Sequence, residues 1–204
     1  MPQGSPLRVP DDGLTTRARR KIPVLAVHTG DGKGKSTAAF GMALRAWNAG
    51  LDVAVFQFVK SAKWKVGEEE AFRQLGQSHD QHGVGGGVEW HKMGAGWSWT
   101  RKGGSDPDHA ASAADGWAEI SRRLASQRHD FYVLDEFTYP LNWGWVDVDE
   151  VVDVLSARPG HQHVVITGRR APLRLVEAAD LVTEMTKVRH PMDEGRKGQK
   201  GIEW

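Results

Sequence analysis

The chain has 204 residues, enough for one domain with a full α/β core. Its 27 Lys and Arg against 26 Asp and Glu leave no overall basic excess of the kind a nucleic-acid binder carries, and the absence of cysteine removes disulfides, thiolate metal sites and cysteine nucleophiles. No apolar run approaches the roughly 20 residues that cross a bilayer, and residues 1–15 hold no apolar signal core, so the expected setting is the cytoplasm, with neither membrane nor nucleic acid as partner.

Residues 1–20 form an expected flexible arm: Pro2, Gly4, Pro6 and Pro10 break it up, and Arg17, Arg19, Arg20 and Lys21 read as a solvated basic end. Val24–Val27 reads as the first buried strand. After it comes Thr29-Gly30-Asp31-Gly32-Lys33-Gly34-Lys35-Ser36-Thr37, the centre of the whole reading. Glycines alternate with polar residues and end in Gly-Lys-Ser-Thr, the pattern of a loop that turns successive backbone N–H groups toward one phosphate. A helix from Ser36 to Ala49 adds the positive end of its dipole; Lys35 supplies a point charge on the phosphates, and Ser36 a hydroxyl for Mg²⁺. The general pattern wants glycine five residues before Gly34, where this chain has Thr29; its first glycine comes one residue late, at Gly30.

Val53–Phe58 is the next expected strand, apolar nearly throughout. A short helix over 68–75 ends at Gly76, and 77–87 reads as a mobile connection in which His79 and His82 lack further ligands for a metal. Val88–Met93 is a third strand. It runs into a glycine-rich loop bearing Trp97 and Trp99, two of the chain's nine tryptophans. Asp106-Pro107 opens a helix to about 127. Phe131–Glu136 is a buried strand ending in two carboxylates, of which Glu136 reaches toward the metal. An aromatic loop (137–145), a helix capped by Asp147 or Asp149, the strand 163–169 running into Arg169, a short helix over 172–179 and a last strand (181–185) complete the body. The domain spans 21–185, and 186–204 is a basic tail expected to dock on it.

Alternating strands and helices imply an α/β fold: a three-layer, mostly parallel sheet with helices on both faces and its ligand beyond the carboxyl ends of the strands. The phosphate loop, the Trp97 loop, Glu136 and Arg169 all fall at that edge. The residues alone leave the chemistry open. A nucleoside triphosphate and metal are implied, but no clear base or water-positioning glutamine is present. Gln57 ends a strand at the same edge with no role assigned, so a P-loop NTPase or small-molecule kinase also fits.

Taken together, Thr29–Gly41, Val55–Lys60, Met93–Thr100, Val133–Glu136, Ile166–Arg169, Ala178–Met185 and Lys197–Trp204 resemble the ATP:corrinoid adenosyltransferase family of the cobalamin-synthesis type. The resemblance runs from about residue 20 to the C-terminus, and the late first glycine is part of the family's variant loop. It implies a RecA-like P-loop homodimer that transfers the 5′-deoxyadenosyl group of ATP to the Co(I) of a corrinoid and leaves triphosphate. Mg²⁺ or Mn²⁺ is implied as cofactor and an electron-donating reductase or flavoprotein as partner. A non-enzymatic ATP-dependent corrinoid-binding module is the third reading. Carried over by position, Thr29, Gly30, Asp31, Gly32, Gly34 and Thr37 line the nucleotide. Lys33 and Lys35 neutralise the triphosphate, Ser36 and Glu136 hold the metal, Arg45 reaches the nucleotide, and Arg169 takes a terminal phosphate. Trp97 and Trp99 lie beside the corrinoid and help to remove the lower ligand of Co(II); the family commonly has Phe where Trp97 stands. The arm around Arg17–Lys21 is implied to cover an active site.

Overall fold

The computed structural model describes residues 11–59, 67–93 and 107–202, with only the backbone at 107 and 108. The apolar runs become strands: β1 (Leu25–Thr29), β2 (Val53–Gln57), β3 (Val88–Lys92), β4 (Phe131–Asp135), β5 (His163–Thr167) and β6 (Leu181–Glu184). All pair parallel in the order β3-β2-β4-β5-β1-β6. Parallel neighbours need crossovers, which α2 (Lys35–Asn48), α3 (Gly67–His82), α4 (Pro107–Ala125), α6 (Val148–Ala157) and α7 (Leu173–Ala178) supply, while α1 (Thr16–Arg19) and α5 (Thr138–Asn142) are short additions.

Alternation along the strands sorts the core into two layers. Val53 and Val55 face Ala39, Phe40 and Ala43 of α2 and Phe72 of α3. Ala54 and Phe56 face Ala113, Trp117, Ile120 and Leu124 of α4, with Val151, Val152 and Leu155 of α6 completing that side. The result is the expected three-layer α/β sheet. Among the described residues β6 is left uncovered: its four residues are all exposed, Leu181 and Val182 at 43% each.

Two elements differ from the sequence expectation, and a cap left open between two residues is resolved. α3 does not stop at Gly76 but continues to His82, because the bare glycine lets the helix pack on Val88: a Cβ there would sit 3.3 Å from the Val88 Cβ. Most of the 77–87 connection is therefore helical. His79 is engaged structurally, its Nδ1 donating to the Gly85 carbonyl at 2.9 Å. The 137–145 aromatic loop contains α5, which buries Thr138, Pro140 and Leu141. Asp147, not Asp149, caps α6, its carboxylate accepting from the Glu150 N–H at 2.8 Å.

Candidate active site

The site is built where four parallel strands end together. β1 delivers Thr29, and the chain then turns through glycines that the neighbouring strand end makes obligatory. The Gly32 N–H donates to the Met185 carbonyl at 2.6 Å and the Met185 N–H to the Thr29 carbonyl at 2.9 Å. A Cβ on Gly30 would lie 2.5 Å, and one on Gly32 2.6 Å, from that Met185 oxygen. Gly30 also holds φ +95° and Gly34 φ +106°, both left-handed. The late glycine thus has a physical reason: β6 runs on to lean against the loop, and glycine is needed where it touches.

Thr29, standing where the general pattern has glycine, is used for its side chain. Its Oγ1 accepts from the Ala171 N–H at 3.0 Å and so ties the first loop to the connection after β5, the one carrying Arg169. The Arg169 carbonyl is gripped from the other side by Thr138 Oγ1 at 2.8 Å and Asn142 Nδ2 at 3.3 Å. Gly168, at φ +141°, makes that approach possible, since a Cβ would fall 2.0 Å from Thr138 Oγ1. The Arg169 guanidinium projects back over the loop, 3.9 Å from Asp31.

α2 starts at Lys35 behind Gly34, which has no side chain to cap it, so its first N–H groups face the loop. Lys35 is buried, its ammonium donating to the Gly32 carbonyl at 2.5 Å. His28 of β1 is buried beneath, its Nδ1 donating to the Lys35 carbonyl at 3.2 Å. Burial lowers the Lys35 pKa; the Glu136 and Asp31 carboxylates oppose this, and Arg169 and Lys33 add to it. Those five charged groups therefore share one small volume. Tyr139, on α5, is pushed up to about 12, first by burial and then by Glu136.

β4 contributes the acidic pair in two different states. Asp135 is fully buried. Its Oδ2 accepts from Gln57 Nε2 at 3.0 Å and its Oδ1 from Thr167 Oγ1 at 2.8 Å, so it joins the ends of β2, β4 and β5. Glu136 follows at φ +60°, a left-handed backbone that turns it out of the strand toward Lys35. Its N–H donates to Thr167 Oγ1 at 2.9 Å.

A divalent cation suits this donor set. Ser36, half-buried in the first turn of α2, offers a hydroxyl and Glu136 a carboxylate, both hard oxygens. Mg²⁺ is commonly held by one or two such protein ligands, with phosphates and water filling the rest. Among the described residues no group of three or more His, Asp or Glu could hold a metal alone.

Residues 21–204 match the family described as ATP:corrinoid adenosyltransferase BtuR/CobO/CobP. The chain belongs to the ATP:corrinoid adenosyltransferase family. A corrinoid adenosyltransferase of Pseudomonas aeruginosa is 40% identical over 95% of this chain and 89% of its own length. Those of Salmonella typhimurium and Escherichia coli are 39% and 38% identical, each over 95% of this chain and 91% of their own. Among solved structures, the flagellar accessory protein FlaH of Methanocaldococcus jannaschii covers 80% of this chain and 72% of its own at TM-score 0.45 and 11% identity.

Of the residues expected at the adenosyltransferase site, the fold gathers Thr29 to Thr37, Glu136 and Arg169 at one sheet edge. Arg45 is not among them: it lies on the exposed last turn of α2, ten residues beyond Lys35 and so about 15 Å along the helix axis. Trp97 and Trp99 lie outside the described residues. Sequence reasoning assigned nothing to Gln57, Thr138, Tyr139 or Thr167 and did not see that Met185 braces the loop. Their one common signal is position at the carboxyl end of a strand or just after it.

Proposed function

We propose that this protein transfers the 5′-deoxyadenosyl group of ATP to the Co(I) of a corrinoid, releasing triphosphate. The observation that carries the reading is the family match over 21–204, supported by the phosphate loop, Glu136 and Arg169 meeting at the strand ends. Co(I) is the nucleophile: it donates its electron pair to C5′ of the ribose, a Co–C bond forms, and the C5′–O bond breaks with its pair leaving on the triphosphate. No protein base is needed to deprotonate such a nucleophile. What the residues must do is hold the charge that builds on the leaving group. Lys35, anchored at Gly32, and Lys33 neutralise it. The N–H groups of the loop and of the α2 terminus donate to its oxygens, and Arg169 takes the terminal phosphate. Ser36 and Glu136 hold Mg²⁺, which when bound screens the same charge.

On the same reading Trp97 and Trp99 flank the corrinoid, a reductase supplies the electron that makes Co(I), and the enzyme works in the cytoplasm. Among the described residues no helix is long and apolar enough to cross a membrane. A homodimer is part of the proposal, and the bare edge strand supports it: parallel strands are ordinarily covered on both faces, whereas β6 leaves Leu181 and Val182 outside.

Incubation with Mg-ATP and chemically reduced cobalamin is the test. The expected result is the spectrum of an alkylcobalamin with stoichiometric triphosphate. ADP and phosphate without spectral change would overturn the reading in favour of phosphoryl transfer.

A further inference from the structure

Nothing in the triphosphate grip explains why three polar side chains are buried beneath it. Gln57, Asp135 and Thr167 are each 0% exposed, in a layer otherwise built of Ala, Val, Phe and Trp. Polar groups are retained in such a place at a cost unless each is matched, and removing one partner strands the others. The parallel register sets Gln57 opposite Asp135, so the three side chains run in a row across adjacent strand ends from β2 through β4 to β5. Gln57 donates to one Asp135 oxygen at 3.0 Å and Thr167 to the other at 2.8 Å.

The direction of these bonds carries the row to Glu136. A threonine hydroxyl has one proton, and Thr167 spends it on Asp135 Oδ1; only its lone pairs remain. The group that uses them is the backbone N–H of Glu136, at 2.9 Å. Asp135 thus fixes which way the Thr167 hydroxyl points, and the hydroxyl in turn holds Glu136. Glu136 needs holding: a non-glycine residue at φ +60° is in a sparsely populated conformation that persists only where its surroundings enforce it. The left-handed turn also does the useful thing. It takes the chain out of the strand direction at the edge where the phosphate loop lies, and the carboxylate acts there on the charge of Lys35.

We infer that Thr167, oriented by the buried Asp135–Gln57 pair, is a positioning residue that locks the Glu136 backbone in its left-handed turn and thereby presents the Glu136 carboxylate to the metal of the bound nucleotide. The inference rests on the assignment of Glu136 as metal ligand, and its test does not depend on corrinoid chemistry. Thr167→Val keeps the shape and removes the hydroxyl, leaving the Glu136 N–H without its acceptor. Thr167→Ser keeps the hydroxyl and loses a methyl.

The experiment is Mn²⁺ binding, followed by electron paramagnetic resonance, to the full-length protein in the presence of a non-hydrolysable ATP analogue. Nucleotide binding without metal and thermal unfolding are measured alongside. Thr167→Val is expected to weaken Mn²⁺ in the ternary complex about tenfold, to leave metal-free nucleotide binding within twofold, and to be restored by Thr167→Ser. In a Glu136→Gln background, Thr167→Val is expected to add no further loss, because its effect passes through that carboxylate. Unchanged Mn²⁺ affinity in Thr167→Val, or the same added loss with and without Glu136, would overturn the inference. If Thr167→Val does not fold, Thr167→Cys, whose sulfur is a weak acceptor, is read in the same way and is expected to fall between Ser and Val. Failure of Glu136→Gln itself to weaken Mn²⁺ would sink the metal assignment beneath it, a result distinct from failure of the Thr167 link.

Discussion

Gly30 and Gly32 occupy the same loop under different constraints. At Gly30 both the backbone, at φ +95°, and the space, 2.5 Å to Met185, exclude a side chain; at Gly32 only the space does, 2.6 Å to the same oxygen. Gly32→Ala must therefore push Met185 away and give up the 2.6 Å hydrogen bond from its own N–H. The expected outcome is a loss of ATP affinity of tenfold or more at nearly native thermal stability, since the displaced strand end is exposed and lies off the core. Calorimetric titration with ATP checks it, and native affinity would mean that the Met185 brace does not shape the loop. Glu136→Ala tests the neighbouring carboxylate by a different route. The residue stands past the end of β4 and outside the core layers, so the fold should survive while Mg-dependent turnover falls at least a hundredfold. Full activity with Mg-ATP would remove Glu136 from the metal.

At the scale of elements, glycine did two jobs that look alike in a sequence. Gly50 lies just past the end of α2 at φ +80°, a left-handed stop of the expected kind, and a Cβ there would meet nothing. Gly76 reads as the same stop yet sits inside α3, buried against Val88. Only the packing partner, 12 positions further along the chain, separates the two cases, and local sequence does not contain it. Beyond α3, the connection at 83–87 clamps Trp47: a Cβ on Gly85 would fall 2.3 Å from the indole, at a backbone φ of +69°. Gly85→Ala should accordingly destabilise the protein by about 1–3 kcal/mol, read from urea unfolding. No change would mean that Trp47 is free to move aside.

The same contrast governs the site. The strands were legible because runs such as Val53-Ala54-Val55-Phe56 are covered on both faces, and the phosphate loop because its glycines are contiguous with Lys35 and Ser36. The Gln57–Asp135–Thr167 row was not, since its members are 78 and 32 residues apart and meet only once the strand register is fixed.

At the scale of the whole molecule, two charged networks among the described residues stand at opposite ends of the strands. The carboxyl edge gathers the groups around Lys35. A second network lies on the far side, at the start of the outer strand β3, where Glu89 accepts from Arg123 at 2.5 Å, Arg128 at 2.8 Å and His91 at 3.0 Å, with His129 at 3.3 Å. It ties β3 to α4 and to the connection that follows. Arg123 also lies 5.5 Å over the Phe56 ring, on which His91 stacks at 4.8 Å. Burial pushes the Glu89 carboxyl up, but the hydrogen bonds from Arg123, Arg128 and His91 prevail and hold it well below the usual range.

The histidines behave in the opposite sense. Burial lowers His91, His129 and His163 below the ordinary 6.5, even though Glu89 favours the charged form of the first two. Below pH 6.5 the unfolded chain binds protons that these folded histidines refuse, so stability is full above that pH and declines as pH falls. Glu89, with its lowered pKa, adds a second loss only once pH drops below the ordinary glutamate value of 4.5. The urea midpoint should therefore be lower at pH 5.5 than at pH 7.5, before any carboxylate contributes. His129→Gln, which keeps a donor near Glu89 and cannot ionise, should flatten that slope without abolishing it, because His91 and His163 remain. Equal midpoints at the two pH values in the native protein would show that the histidines are as easily protonated folded as unfolded. An unaltered slope in His129→Gln would assign the effect to the other two.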